Sequence, residues 1–203
     1  MTFLLLVLVC AALFFSMPYL RVLCKRISLS VRLRRACRTH GWTLAPTHSL
    51  WFLGRTGNAV CDCHIVTKHN VFSVKLFAVP RRSSTLVFGS GGEYFIRGYL
   101  GLLGNTGVMA RIPIDGKTRI LPQYRFRDRF APEWETLSHH KILLLSPVPH
   151  EIIRIPREGE QRLLGAGDLI SDMQLYSLTR LLGRMEVSEA HLDGKSAFSN
   201  LML

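Results

Sequence analysis

The chain has 203 residues, 48% of them hydrophobic and 20% charged, with 26 Lys and Arg against 14 Asp and Glu and a net charge of +12. No internal repeat, heptad array or low-complexity run is present, which excludes solenoids and coiled coils and leaves room for one folded domain. The five cysteines, Cys10, Cys24, Cys37, Cys61 and Cys63, are odd in number and have no framework spacing, which excludes a disulfide scaffold and predicts free thiols.

Residues 3–20 are uncharged and hold eleven Leu, Val or Phe residues, interrupted only near the end by Ser16 and Pro18. As a helix this run spans roughly 27 Å, close to the thickness of a hydrocarbon core. Each Leu, Val or Phe contributes about −0.3 to −0.6 kcal/mol to insertion, so crossing is favourable. A cleaved secretory signal needs a basic flank before the run and a small-residue site after it, and neither is present. Residues 1–20 therefore read as a transmembrane signal anchor.

Arg21, Lys25, Arg26, Arg32, Arg34, Arg35 and Arg38 follow the run, with no cation before it. The positive-inside rule then predicts a single-pass protein of the cell membrane with its amino end outside and its carboxyl-terminal domain cytoplasmic. Membrane lipid is the partner expected for residues 3–20 and for Arg21, Lys25 and Arg26.

Residues 21–41 are predicted as a basic juxtamembrane helix that stops at Gly41, with Arg38 and His40 in the last turn where cations complement the helix dipole. Residues 1–61 hold none of the 14 acidic residues, so the high net charge belongs chiefly to this stretch. If the helix stood upright, Arg35 would lie roughly 22 Å past Leu20, well beyond a Debye length of about 8 Å. Either the segment lies along the headgroups, or Arg32, Arg34, Arg35 and Arg38 dock on the body or bind a polyanion; a simple solvated face is the ordinary alternative.

Beyond Gly41, short apolar runs between turn signals predict strands over residues 59–67, 71–79, 84–88, 94–98, 108–114, 118–121, 141–146 and 151–155. Lys68-His69-Asn70, Gly89-Ser90-Gly91-Gly92 and Asp115-Gly116 read as hairpin turns. Ser171 followed by Gln174 forms a capping box, and Met173, Tyr176, Leu178, Leu181 and Leu182 have helical spacing up to about Gly183. The expected fold class is α+β: a transmembrane helix, a preceding basic helix, one mixed, largely antiparallel sheet in a domain over residues 42–187, and a closing helix. Residues 188–203 read as a flexible tail.

Candidate chemistry is concentrated in residues 62–75, Asp-Cys-His-Ile-Val-Thr-Lys-His-Asn-Val-Phe-Ser-Val-Lys. An acid opens one strand and Ser-x-Lys lies in the next. This resembles the nuclease-related branch of the restriction-endonuclease-like PD-(D/E)XK superfamily, over about residues 30–80. The resemblance implies a divalent-metal site, with Mg2+ held by Asp62 and a second acid, and with Lys75 stabilising the attacking water or the phosphate. Ser73 stands where that second acid belongs, and residues 21–61 contain no Asp or Glu to replace it. A hard cation needs oxygen ligands while keeping waters for chemistry, so a lone Asp62 beside Lys75 is more simply an ion pair on a hairpin. Glu93 is the displaced carboxylate that would restore the site.

Other patterns in the chain have ordinary structural readings. Cys61-Asp-Cys63-His64 with His69 contains zinc-ligand residue types, yet Cys-x-Cys on a strand sends both thiols to one face with His64 on the other, so buried thiols are preferred. Residues 124–130, Tyr-Arg-Phe-Arg-Asp-Arg-Phe, place aromatics and arginines on opposite faces of a strand, whereas a base-stacking surface needs them together. His139-His140 and the glycines at 98, 101 and 104 carry no motif with a mechanism. The functional expectation is a membrane-anchored, non-catalytic binding domain without a cofactor, taking a protein or nucleic-acid partner, with Arg32, Arg34, Arg35 and Arg38 as polyanion-binding residues. The alternatives are an Mg2+-dependent nuclease using Asp62 and Lys75 with a displaced acid, and a structural component of a membrane-associated assembly.

Overall fold

The computed structural model describes residues 2–47, 49–53, 61–79, 84–89, 93–103, 109–115, 119–120, 132–155 and 161–201. A single helix, α1 (Thr2–His40), opens the chain. It ends as its sequence predicts. Gly41 has φ +69°, the Gly41 N–H donates to the Arg38 carbonyl and the Trp42 N–H donates to the Cys37 carbonyl at 2.9 Å. These two bonds form a Schellman cap, for which glycine supplies the left-handed residue.

The strands that follow are β1 (Thr43–Pro46), β2 (Cys63–Val66), β3 (Asn70–Ala78), β4 (Thr85–Phe88), β5 (Glu93–Leu103), β6 (Met109–Asp115), β7 (Arg119–Ile120), β8 (Ser138–Ser146), β9 (Glu151–Arg154), β10 (Arg162–Leu163), β11 (Leu169–Ile170) and β12 (Met173–Ser177). A second helix, α2 (Leu178–Leu201), closes the chain. All eight predicted strands coincide with observed ones, and β1, β10, β11 and β12 add to them. Asp115 ends β6; Gly116, like the aromatic and basic residues 124–130, lies outside the described residues.

The expectation of one sheet is corrected to two. The first has the order β1-β2-β3-β8-β12-β11, and the second β10-β9-β4-β5-β6 with β7 also on β5. Antiparallel pairs dominate, but β3/β8, β8/β12 and β4/β9 are parallel. Two stretches of chain each contribute to both sheets, β3 then β4 and β8 then β9, and they remain neighbours across the step. Pro147 and Pro149 stand at the β8 to β9 step, where their missing N–H groups end the first ladder.

The core explains the layering. Ile142 and Leu144 of β8 join Phe72, Val74 and Leu76 of β3 on the face covered by Leu29, Leu33 and Cys37 of α1 and Leu181 and Met185 of α2. Leu143 and Leu145 point the other way and meet Leu86, Phe88 and Ile152 of the second sheet. The result is helices over a sheet over a second sheet. A central strand buried on both faces reads as an unbroken apolar run, as residues 142–145 do.

The predicted transmembrane anchor is overturned. Among the described residues no helix is long and apolar enough to cross a membrane. The uncharged run continues without a break into one helix carrying seven Lys and Arg after Leu20. Where side chains are described, the apolar stripe Leu29, Leu33 and Cys37 is buried against a protein sheet, and Lys25 and Arg26 also turn inward. The readings that depended on the anchor, a single-pass signal-anchored protein of the cell membrane with an outside amino end, fall with it.

The closing helix also begins later than its apparent capping box. Ser171 has φ +56° in the turn between β11 and β12, so it caps nothing. Met173 and Leu175 face the second sheet and Tyr176 faces the helices from β12, which runs parallel to β8. The cap is Ser177, whose Oγ accepts the Arg180 N–H at 3.4 Å. From there α2 passes Gly183 and continues to Leu201.

Candidate functional site

Asp62 sits immediately before β2, opposite Lys75 of β3 in the hairpin register, and its side chain is 1% exposed. Its carboxylate accepts from three donors: Arg26 Nη2 at 3.1 Å, Lys75 Nζ at 3.1 Å and the Leu76 backbone N–H at 2.8 Å. Arg26 is itself committed, with Nε donating to the Phe52 carbonyl at 2.9 Å and Nη1 to the Leu76 carbonyl at 2.6 Å. Lys25 beside it donates to the Val79 carbonyl at 3.1 Å. These bonds fasten α1 to the edge of β3.

The Asp62–Lys75 pair expected from the hairpin is therefore present, but as part of a buried triad with Arg26. A carboxylate holding two cations and an N–H has little capacity left to bind a metal. Neither Ser73 nor Glu93 supplies a second acid beside Asp62. Ser73 Oγ is 2.9 Å from His64 Nδ1, and Glu93 opens β5 in the other sheet, with its carboxylate beside Gly89. Among the described residues no three His, Cys, Asp or Glu side chains are grouped to hold a metal ion.

The expectation that both thiols share a face is corrected: Cys61 precedes β2 and its sulfur lies 3.4 Å from His64 Nε2, so the two cysteines separate. Cys63 faces α1 in the same core as Cys37, and burial, followed by the Asp62, Cys61 and Cys37 charges, pushes its thiol well above the ordinary range. Burial pushes the Cys37 thiol up to about 11, against the lowering effect of its backbone hydrogen bond. Cys24, Cys37, Cys61 and Cys63 are free thiols.

Cys61, His64 and Ser73 form a buried trio that sequence reading missed, because it depends on His64 facing Ser73 across β2 and β3. Cys61 Sγ is 3.4 Å from His64 Nε2 and 3.7 Å from Nδ1. The sulfur is within reach of both ring nitrogens, and Nδ1 also lies 2.9 Å from Ser73 Oγ, so no single Cys–His pair is singled out. That is a packing contact more than a proton-transfer geometry.

The second candidate is the outer face of α1. Arg32, Arg34, Arg35 and Arg38 are all exposed, on the side of the helix away from Leu29, Leu33 and Cys37. Among the described residues none of the four has a carboxylate partner. The cations of α1 thus divide. Lys25 and Arg26 hold the helix to the sheet, and the four arginines face solvent over roughly 9 Å of helix. Ile27 and Val31 lie exposed on the same side.

No protein family, curated protein or solved structure matches this chain. The functional reading rests on the geometry of these two surfaces.

A third cluster ties α2 to the turn between β2 and β3. Glu189 Oε1 accepts from Thr67 Oγ1 at 2.6 Å and from Asn70 Nδ2 at 2.7 Å. His140 Nε2 lies 3.1 Å from Asn70 Oδ1, and its ring stacks on Phe72. His40 at the end of α1 pairs with Glu186 of α2 at 3.3 Å. This cluster holds the helical layer together.

Proposed function

We propose that this chain is a non-catalytic binding module that recognises the phosphate backbone of a nucleic acid through the outer face of α1. The observation that carries the reading is the pairing state of the basic residues: four arginines within two helical turns are exposed with no acidic partner among the described residues. Duplex DNA offers about one negative charge per 1.7 Å of axis, so a row of cations roughly 9 Å long has several phosphates within reach. Against catalysis at Asp62 stands its saturation by Arg26, Lys75 and the Leu76 N–H.

The test is a mobility shift of a fluorescent duplex by the full chain, titrated across salt and without added metal. Each phosphate neutralised contributes about 0.9 to the slope of log affinity against log salt, so four give about 3.6, or roughly 150-fold between about 50 and 200 mM. Replacing Arg32, Arg34, Arg35 and Arg38 together with Gln should remove most of that slope and most of the binding. Salt-independent binding, or binding unchanged by the replacement, refutes the reading. Cleavage that appears with Mg2+ and disappears in Lys75→Met, with the variant shown to be folded by circular dichroism, would establish the nuclease instead.

A further inference from the structure

We propose that a cavity at the carboxyl ends of β8 and β12 is a binding site for a small organic anion, an apolar carboxylate of medium chain length, whose head is held by Arg180. The cavity has a volume of about 450 Å3, and its walls come from Leu145 of β8, Val148 and Ile152 around the step into β9, and Leu175 of β12. Ala166, Tyr176, Ser177 and Arg180 complete the lining. This volume falls within the range of about 300 to 1,000 Å3 typical of sites for small molecules.

Its position in the topology is the second observation. Strands β8 and β12 are adjacent and parallel, and the lining includes Leu145 near the carboxyl end of one and Tyr176 and Ser177 at that of the other. Parallel strands leave a crevice beyond their carboxyl ends where the following element turns away, and ligands settle there in open sheets. Here the following element is α2, which begins directly after β12.

Charge then selects the ligand. Arg180 lies in the first turn of α2, is exposed, and among the described residues has no carboxylate partner. None of the cavity's described lining residues is acidic. A guanidinium at the rim and the positive end of a helix of 24 residues both favour an anion, while the Leu, Ile and Val walls favour an apolar body. Leu145 and Leu175 are 3% and 2% exposed, so the inner wall is fixed, whereas Val148 at 46% marks the open side. A carboxylate satisfies Arg180 in a planar, bidentate manner that a neutral alcohol cannot.

The experiment is calorimetric titration of the full chain with octanoate, octylammonium and inorganic phosphate. Octanoate should bind with a dissociation constant in the micromolar to millimolar range, and octylammonium and phosphate should bind at least about tenfold more weakly. Arg180→Gln should weaken octanoate by about tenfold or more with an unchanged melting curve, since charge-assisted hydrogen bonds are lost from a solvent-facing residue. Ala166→Phe, which fills the mouth from an exposed position, should abolish binding. Absence of octanoate binding, equal affinity for octylammonium or phosphate, or octanoate binding that survives either variant would overturn the proposal.

Discussion

Replacing Asp62 with Asn should be among the most destabilising single changes in this chain, although it removes no volume and creates no cavity. The asparagine oxygen still reaches the Leu76 N–H, which the Asp62 carboxylate binds at 2.8 Å, but Arg26 and Lys75 lose the negative charge of Asp62. Those side chains are only 12% and 13% exposed, so water compensates them poorly. Two unit charges 3.1 Å apart attract by about 5 kcal/mol at an effective dielectric of about 20, offset by the cost of desolvating both. Breaking such a pair from one side costs about 3–5 kcal/mol, a large part of a typical stability of about 5–15 kcal/mol. With a urea m-value of about 2 kcal/mol/M, the unfolding midpoint followed by far-UV circular dichroism should fall by roughly 2 M. Lys75→Met should cost less, because Arg26 and the Leu76 N–H still hold the carboxylate. A loss below about 1 kcal/mol in Asp62→Asn, or a larger loss in Lys75→Met, would refute the triad as the fastening of α1.

Gly41→Ala should cost about 1–2 kcal/mol in the same assay, entirely through the left-handed backbone, since a Cβ there would meet nothing within 4 Å. Burial, with Arg184 and His139 adding to it, lowers the His140 pKa from its ordinary value of 6.5, so the folded state prefers the neutral ring. Below that ordinary value the unfolded chain binds the extra proton first, so stability should fall as pH drops from about 7 through the depressed value. Urea titrations at several pH values should show part of this dependence disappear in His140→Gln, and an identical dependence in the variant would refute the assignment. Iodoacetamide at neutral pH should label exposed Cys24 rapidly in the native protein, while Cys37 and Cys63 label only after unfolding, as mass spectrometry of peptides would show.

Much of the local structure was legible in the residues. Short apolar runs between turn signals marked eight strands, and Gly41 marked the end of α1, because both are properties of a few adjacent residues. The Asp62–Lys75 ion pair followed from one short turn that sets the hairpin register. Arg26 was read as a residue for lipid headgroups, yet it completes the triad from 36 positions away. Nothing near Arg26 in the chain announces that partner.

The sequence by itself determined where the chain alternates, where it turns, and that its basic residues crowd one helix. Tertiary structure decided which of those basic residues are occupied and which remain exposed, and it decided how the apolar runs are shared between two sheets. Residues 173–177 show why: their spacing suits a helix or a strand, and the parallel partner β8, some thirty positions earlier, settles the choice by burying Leu175 and Tyr176 on opposite faces. The apolar stripe of α1 was open to lipid or protein on composition alone. It is a sheet edge with a buried Asp62, a feature assembled only by folding, that draws Lys25 and Arg26 inward and turns that stripe onto protein.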